Sequence, residues 1–105
     1  MHRLLDGVKV IELGHILLAP FAAQTLGDFG ADVIKVEPPG GDQYRKVGQG
    51  RAGGMTAQWM AANRNKRSVA LDLKHEDGRE VLRALLKDAD ILVHNMRVQA
   101  MEGLG

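Results

Sequence analysis

Three glycines, Gly48, Gly50 and Gly53, spell a literal G-x-G-x-x-G, and Asp72 follows about 20 residues on, as the dinucleotide fingerprint asks. That fingerprint works only directly after a strand, where the glycines let the backbone meet a pyrophosphate at a helix N-terminus. Here the ten residues from Pro38 to Val47 intervene, so a glycine-rich loop is expected and not a nicotinamide or flavin site. Glu37, which closes a predicted strand, then has no ribose to hold and reads as a solvent-facing carboxylate. The histidines His2, His15, His75 and His94 show neither H-x-x-x-H nor H-E-x-x-H spacing, so no metal site is expected. His15 follows the first predicted strand and is a candidate ligand contact. Ser68 is the single serine and falls within a strand, and the absence of cysteine excludes thiolate nucleophiles, thiolate zinc and disulfides. Tyr44, Trp59, Phe21 and Phe29 are too scattered to stack bases, and Trp59 and Met60 read as core.

These residues must be positioned by alternating strands and helices. Val8–Leu13 and Asp32–Glu37 are β-branched runs, and the helical spacing of Phe21, Thr25 and Phe29 predicts a helix over Pro20–Phe29 between them. Pro20 suits a first turn, and Gly30 can take the left-handed conformation that closes a helix. The two prolines and six glycines of Pro38–Gly54 predict a long loop, followed by a short helix over Met55–Ala62. Ser68–Leu73 is a third strand. Glu76–Ala89 is the clearest helix, with Val81, Leu82, Leu85 and Ala89 as its buried stripe. Ile91–His94 is a fourth strand, and Val98–Leu104 begins another helix.

The order is that of an α/β, Rossmann-like, doubly wound and mainly parallel sheet of about four strands. Such sheets bind ligands at their strands' carboxyl ends: Gly14–Leu18, Pro38–Asp42, Lys74 and Asn95–Arg97. A sheet of this size leaves edges and apolar faces uncovered, so residues 1–105 read as the amino-terminal part of a larger domain.

With 45% hydrophobic and 26% charged residues and a net charge of +1, the composition is that of an ordinary soluble domain. No apolar run approaches the ~20 residues of a membrane span, and no signal peptide is evident, so a cytoplasmic protein without membrane or nucleic-acid partners is expected. The charge is uneven. Between Gln43 and Leu71 stand Arg45, Lys46, Arg51, Arg64, Lys66 and Arg67 with no acidic residue among them. Such a stretch marks either a local anionic ligand or a solvated basic loop.

Five motifs then occur in order: Leu5–Leu13 (LDGVKVIEL), Leu26–Asp42 (LGDFGADVIKVEPPGGD), Asn63–Ser68 (NRNKRS), Leu71–Lys74 (LDLK) and Ala89–Arg97 (ADILVHNMR). Together they resemble the class III CoA-transferases, the group of formyl-CoA and carnitine CoA-transferases, and cover essentially the whole chain. The resemblance implies a Rossmann-like domain, a homodimer of interlocked subunits, and coenzyme A or acyl-CoA as a substrate exchanged with a carboxylic acid, with no permanently bound cofactor. By motif, the CoA contacts would be His15, Ile16, Leu17, Leu18, Leu71, Asp72, Leu73, Lys74, Asn95, Met96 and Arg97, with Lys74, Arg97 and the basic loop meeting its phosphates. The family's nucleophile is an aspartate downstream of this segment, which becomes an aspartyl-CoA thioester. No catalytic residue is therefore expected within these 105 residues. Related acyl-CoA racemases, or a non-catalytic CoA-binding fragment, are the alternatives.

Overall fold

The computed structural model describes residues 4–14, 17–42, 45, 50–51 and 55–103. Its elements run β1 (Lys9–Glu12), α1 (Leu18–Asp28), β2 (Asp32–Glu37), β3 (Gly50–Arg51), β4 (Met55–Thr56), α2 (Ala57–Ala62), β5 (Lys66–Ala70), α3 (Glu76–Lys87), β6 (Ile91–Val93) and α4 (Val98–Glu102). Four strands form one parallel sheet in the order β5-β2-β1-β6. The chain steps outward from β1 to β2 to β5, then returns to lay β6 on the other side of β1. This reversal is the topological switch point of a doubly wound fold.

The period of two along each strand builds two different faces. Val10 and Val33 join Ala23 of α1 and Ala31 in one core, with Leu26 and Val93 packed against it. Ile11, Leu13 and Val36 turn the other way and meet Leu82 of α3, with Leu85, Ala89, Met96 and Met101 completing that layer. α1 ends as expected, since Gly30 takes φ +105°. Its start is two residues earlier than Pro20, with Leu17 at the cap position.

The third strand departs from its expected bounds. It begins at Lys66, after a turn in which Asn65 takes φ +61°, and leaves the ladder before Leu71. Its alternation is charged rather than apolar, which hides it from a hydrophobic pattern. The glycine-rich segment also contains a small antiparallel ribbon, with Gly50 opposite Thr56 and Arg51 opposite Met55, so that the following helix starts at Ala57. Gly48 and Gly53 lie outside the described residues. Of the expected core, Trp59 and Leu82 are buried, whereas Met60 and Val81 are exposed.

Candidate functional site

A pocket of about 450 Å³ opens at the carboxyl ends of the strands. Leu13 follows β1, Val36 and Glu37 come from β2, Pro38 and Pro39 from the turn beyond it, Leu71–Lys74 from the loop after β5, and Met96 from the loop after β6. The site lies where a doubly wound sheet leaves its crevice. Its lining is mostly apolar, with Lys74, Asp72 and Glu37 as the charged groups.

The wall at Asp72 is tightly built. The Asp72 carboxylate accepts the Lys74 N–H at 3.0 Å, and the Asp72 carbonyl accepts the His75 N–H at 3.1 Å. α3 presses on this turn at Gly78, where an added Cβ would lie 2.1 Å from the Asp72 carbonyl oxygen. Glycine is required there for close approach. At the neighbouring end of β2, the N–H of Gly41 bonds to the Pro38 carbonyl at 2.8 Å, and Gly41 takes φ +86°.

Of the eleven residues expected to meet the ligand, the pocket gathers Leu71, Asp72, Leu73, Lys74 and Met96. Asn95 and Arg97 flank Met96 without lining the cavity, and Arg97 stands at the N-cap of α4. Leu17 and Leu18 are exposed at the start of α1, away from this pocket. His15 and Ile16 lie outside the described residues. Pro38 and Pro39 were not among the eleven but fall in the Pro38–Asp42 strand end that the switch-point rule named, whereas Leu13 and Val36, one residue short of the named ends or within a strand, were missed.

Glu37 requires a correction: it is not solvent-facing but only 4% exposed. Its carboxylate accepts the Nε and Nη2 of Arg45 at 2.8 and 3.0 Å, the Asp42 N–H at 2.9 Å, and the Ser68 hydroxyl. Burial raises the Glu37 pKa, but the hydrogen bonds from Arg45, Ser68 and Asp42 prevail and bring it down to about 2.

Behind the pocket, the α1 face of the sheet carries a buried charge network. Lys35 Nζ contacts Glu12 at 2.7 Å, Asp42 at 3.0 Å and the Gly14 carbonyl at 3.3 Å. Lys66 Nζ contacts the other Glu12 oxygen at 2.5 Å, the Pro20 carbonyl at 2.8 Å and Asn63 Oδ1 at 2.7 Å. Burial pulls the Lys66 pKa down to about 8, against the opposing pull of Glu12. A lysine so shifted is a candidate base. Here, however, both ammonium groups have an acceptor for each of their three N–H bonds, so the pair acts as a structural tie.

The basic stretch is accounted for in the same way. Arg45 pairs with Glu37, Arg64 with Asp28, Lys66 with Glu12 and Arg67 with Asp32. Most of that positive charge meets internal carboxylates, which is neither of the two expected readings; Lys46 lies outside the described residues. The Arg64 hydrogen bond holds the Asp28 carboxyl below its usual range, against the opposing effect of burial. Among the described residues no group of three or more His, Asp or Glu could hold a metal ion, and no helix is long and apolar enough to cross a membrane.

The arrangement defines an α/β chain with a pocket at the carboxyl ends of a parallel sheet. The sequence profile of CoA-transferase family III matches residues 5–105, and the chain belongs to that family. It is 46% identical to the succinyl-CoA–L-malate CoA-transferase beta subunit of Chloroflexus aurantiacus, an alignment covering 96% of this chain and 26% of that protein. It is 40% identical to the formyl-CoA:oxalate CoA-transferase of Afipia carboxidovorans, over 100% of this chain and 25% of that one. A CaiB/BaiF family protein from Brucella suis superposes with a TM-score of 0.92 at 42% identity, covering 99% of this chain and 29% of the neighbour. The chain thus spans about a quarter of the length of the curated relatives it matches.

Proposed function

We propose that residues 1–105 are the amino-terminal, CoA-binding part of a cytoplasmic class III enzyme that transfers CoA between carboxylic acids. The observation that carries this reading is the strand-end pocket, in which the Leu71–Lys74 motif and Met96 converge on a mostly apolar cavity. An apolar cavity with one exposed ammonium at its edge suits a ligand that joins an apolar chain to phosphates. Lys74 supplies that charge, Arg97 stands one residue beyond Met96, and Leu13, Val36 and Leu73 supply the contact surface. Free CoA or acyl-CoA is substrate here, the second substrate is a carboxylic acid, and the whole subunit works as a homodimer.

Four of the described aspartates are taken up structurally: Asp28 by Arg64, Asp32 by Arg67, Asp42 by Lys35, and Asp72 by the Lys74 amide. The nucleophile is assigned outside the chain on the family motif. In the whole enzyme its carboxylate attacks the acyl thioester, releasing the CoA thiolate, which then attacks the resulting anhydride at the aspartyl carbonyl and frees the donor acid. The acceptor carboxylate reverses these steps. The test is a calorimetric titration of the chain with CoA, beside a transferase assay. Saturable binding without turnover is the expected result, and no binding removes the pocket from this role.

A further inference from the structure

Glu37 belongs to both walls of the pocket. Its backbone carbonyl accepts the Leu71 N–H at 2.9 Å, which starts the Leu71–Lys74 wall. Its carboxylate accepts the Asp42 N–H at 2.9 Å, which closes the turn carrying Pro38 and Pro39. The same carboxylate holds the forked Arg45 guanidinium, whose carbon lies 3.7 Å from the centroid of Trp59 on α2, and accepts the Ser68 hydroxyl of β5. Arg45 is tied back in turn by its N–H to the Asp42 carbonyl at 3.0 Å. One carboxylate therefore joins segments from β2, β5 and α2 to the proline turn. Nothing in CoA chemistry needs a carboxylate at this spot, and both Glu37 oxygens are taken up by donors from the protein itself.

We infer that Glu37 is a positioning residue, with Arg45 as its clamp, and that together they set the distance between the proline wall and the Leu71–Lys74 wall. A planar guanidinium bonded by two nitrogens fixes orientation as well as separation, and its stacking on Trp59 fixes it from behind. The inference rests on the pocket being the CoA site only for its functional consequence; the geometric claim stands apart from it.

The test compares E37Q, R45M and R45K with R67M, an exposed ion-pair control, all in the 105-residue chain. Trp59 is the single tryptophan, so its emission reports the clamp directly. Hydrogen exchange at the Asp42 and Leu71 amides reports the two walls, and calorimetry reports CoA. E37Q and R45M should shift the Trp59 emission, speed exchange at Asp42, and weaken CoA about tenfold, the scale of one charged hydrogen bond. R45K should recover part of the loss, and R67M should change none of the three. Should E37Q fail to fold, R45M carries the comparison, because it removes the clamp while keeping the Glu37 carboxylate, and loosening the turn then shows as faster exchange at Asp42. Unchanged Asp42 exchange in the folded variants overturns the positioning role, as does CoA affinity within twofold of the parent. If the parent binds no CoA, the proposed function fails, and the exchange data alone decide whether Glu37 sets the walls.

Discussion

Glu12 and Lys35 stand directly opposite each other in the β1–β2 register, and their side chains meet at 2.7 Å where neither is more than 1% exposed. A charged pair buried in a sheet face gains little net stability over an apolar pair, but losing one member strands the other. Replacing Glu12 by glutamine leaves the Lys35 and Lys66 ammonium groups with Asp42 as the nearest remaining buried counter-charge. E12Q should cost about 3–5 kcal/mol, a large share of the stability of a small domain. Urea denaturation with an unmoved midpoint would show that the network contributes nothing.

Acid should unfasten Glu37 late. Its pKa falls from an ordinary 4.5 to about 2 on folding, so the unfolded chain takes up this proton more readily. The stabilisation is therefore full above pH 4.5 and lost as pH falls through about 2, a difference on the order of 3 kcal/mol. The stability gap between parent and E37Q should shrink across that window and stay level from pH 5 to 7. A gap that is constant down to pH 2 contradicts the assignment.

Gly78 should not accept a methyl group. Alanine is the better helix former by about 1 kcal/mol, and in an open helix G78A would stabilise. With the Asp72 carbonyl 2.1 Å from the new Cβ, either α3 or the turn must shift, so a net loss of about 1–3 kcal/mol is expected. Thermal unfolding of G78A reads the sign directly.

Lys74→Ala and Arg97→Ala should each weaken CoA by about 1–3 kcal/mol if both meet its phosphates. Dephospho-CoA separates them, since the variant that has lost the 3′-phosphate contact no longer distinguishes the two ligands. Unchanged affinity in both variants, measured by calorimetry, removes these two cations from the site.

The isolated chain should self-associate. Leu18 is 75% exposed and Phe21 57%, beside exposed Leu17 and Met60, and the edge strand β6 shows Ile91 and Leu92 to solvent. Parallel sheets are normally covered on both faces, and open edges pair with further chains. Light scattering should report oligomers; a monodisperse monomer is the contrary outcome.

Much of the fold was legible because β1, β2 and α3 carry plain periodic signals: β-branched runs for the strands, an apolar stripe and acidic first turn for the helix. β5 was shifted because Lys66 and Arg67 are strand residues whose charge is neutralised by Glu12 and Asp32, which precede them by 54 and 35 positions. No local pattern reports a partner that distant. The same blindness applies to Glu37, whose burial depends on Arg45 and Ser68 arriving from separate elements. In the site, Leu71–Lys74 and Met96 were found through motif, and Pro38 and Pro39 through the strand-end rule alone, without a place among the motif contacts. Val36 went unnamed because its side chain reads equally well as core.

The contact at Gly78 decides which side of the pocket can yield. Backbone touches backbone there, with no side chain to rotate aside, so the Asp72 turn can retreat only if the whole of α3 moves with it. α3 is anchored by Leu82 in the core beneath the sheet. That side is a fixed jaw. The Pro38–Asp42 turn is held differently, by the Asp42 N–H on Glu37, the Gly41 N–H on the Pro38 carbonyl and the Asp42 carboxylate on Lys35, with no helix pressed backbone to backbone on it. A bulky ligand should therefore enter past Pro38 and Pro39, and hydrogen exchange should find the amides of 40–42 opening more often than those of 80–86 inside α3.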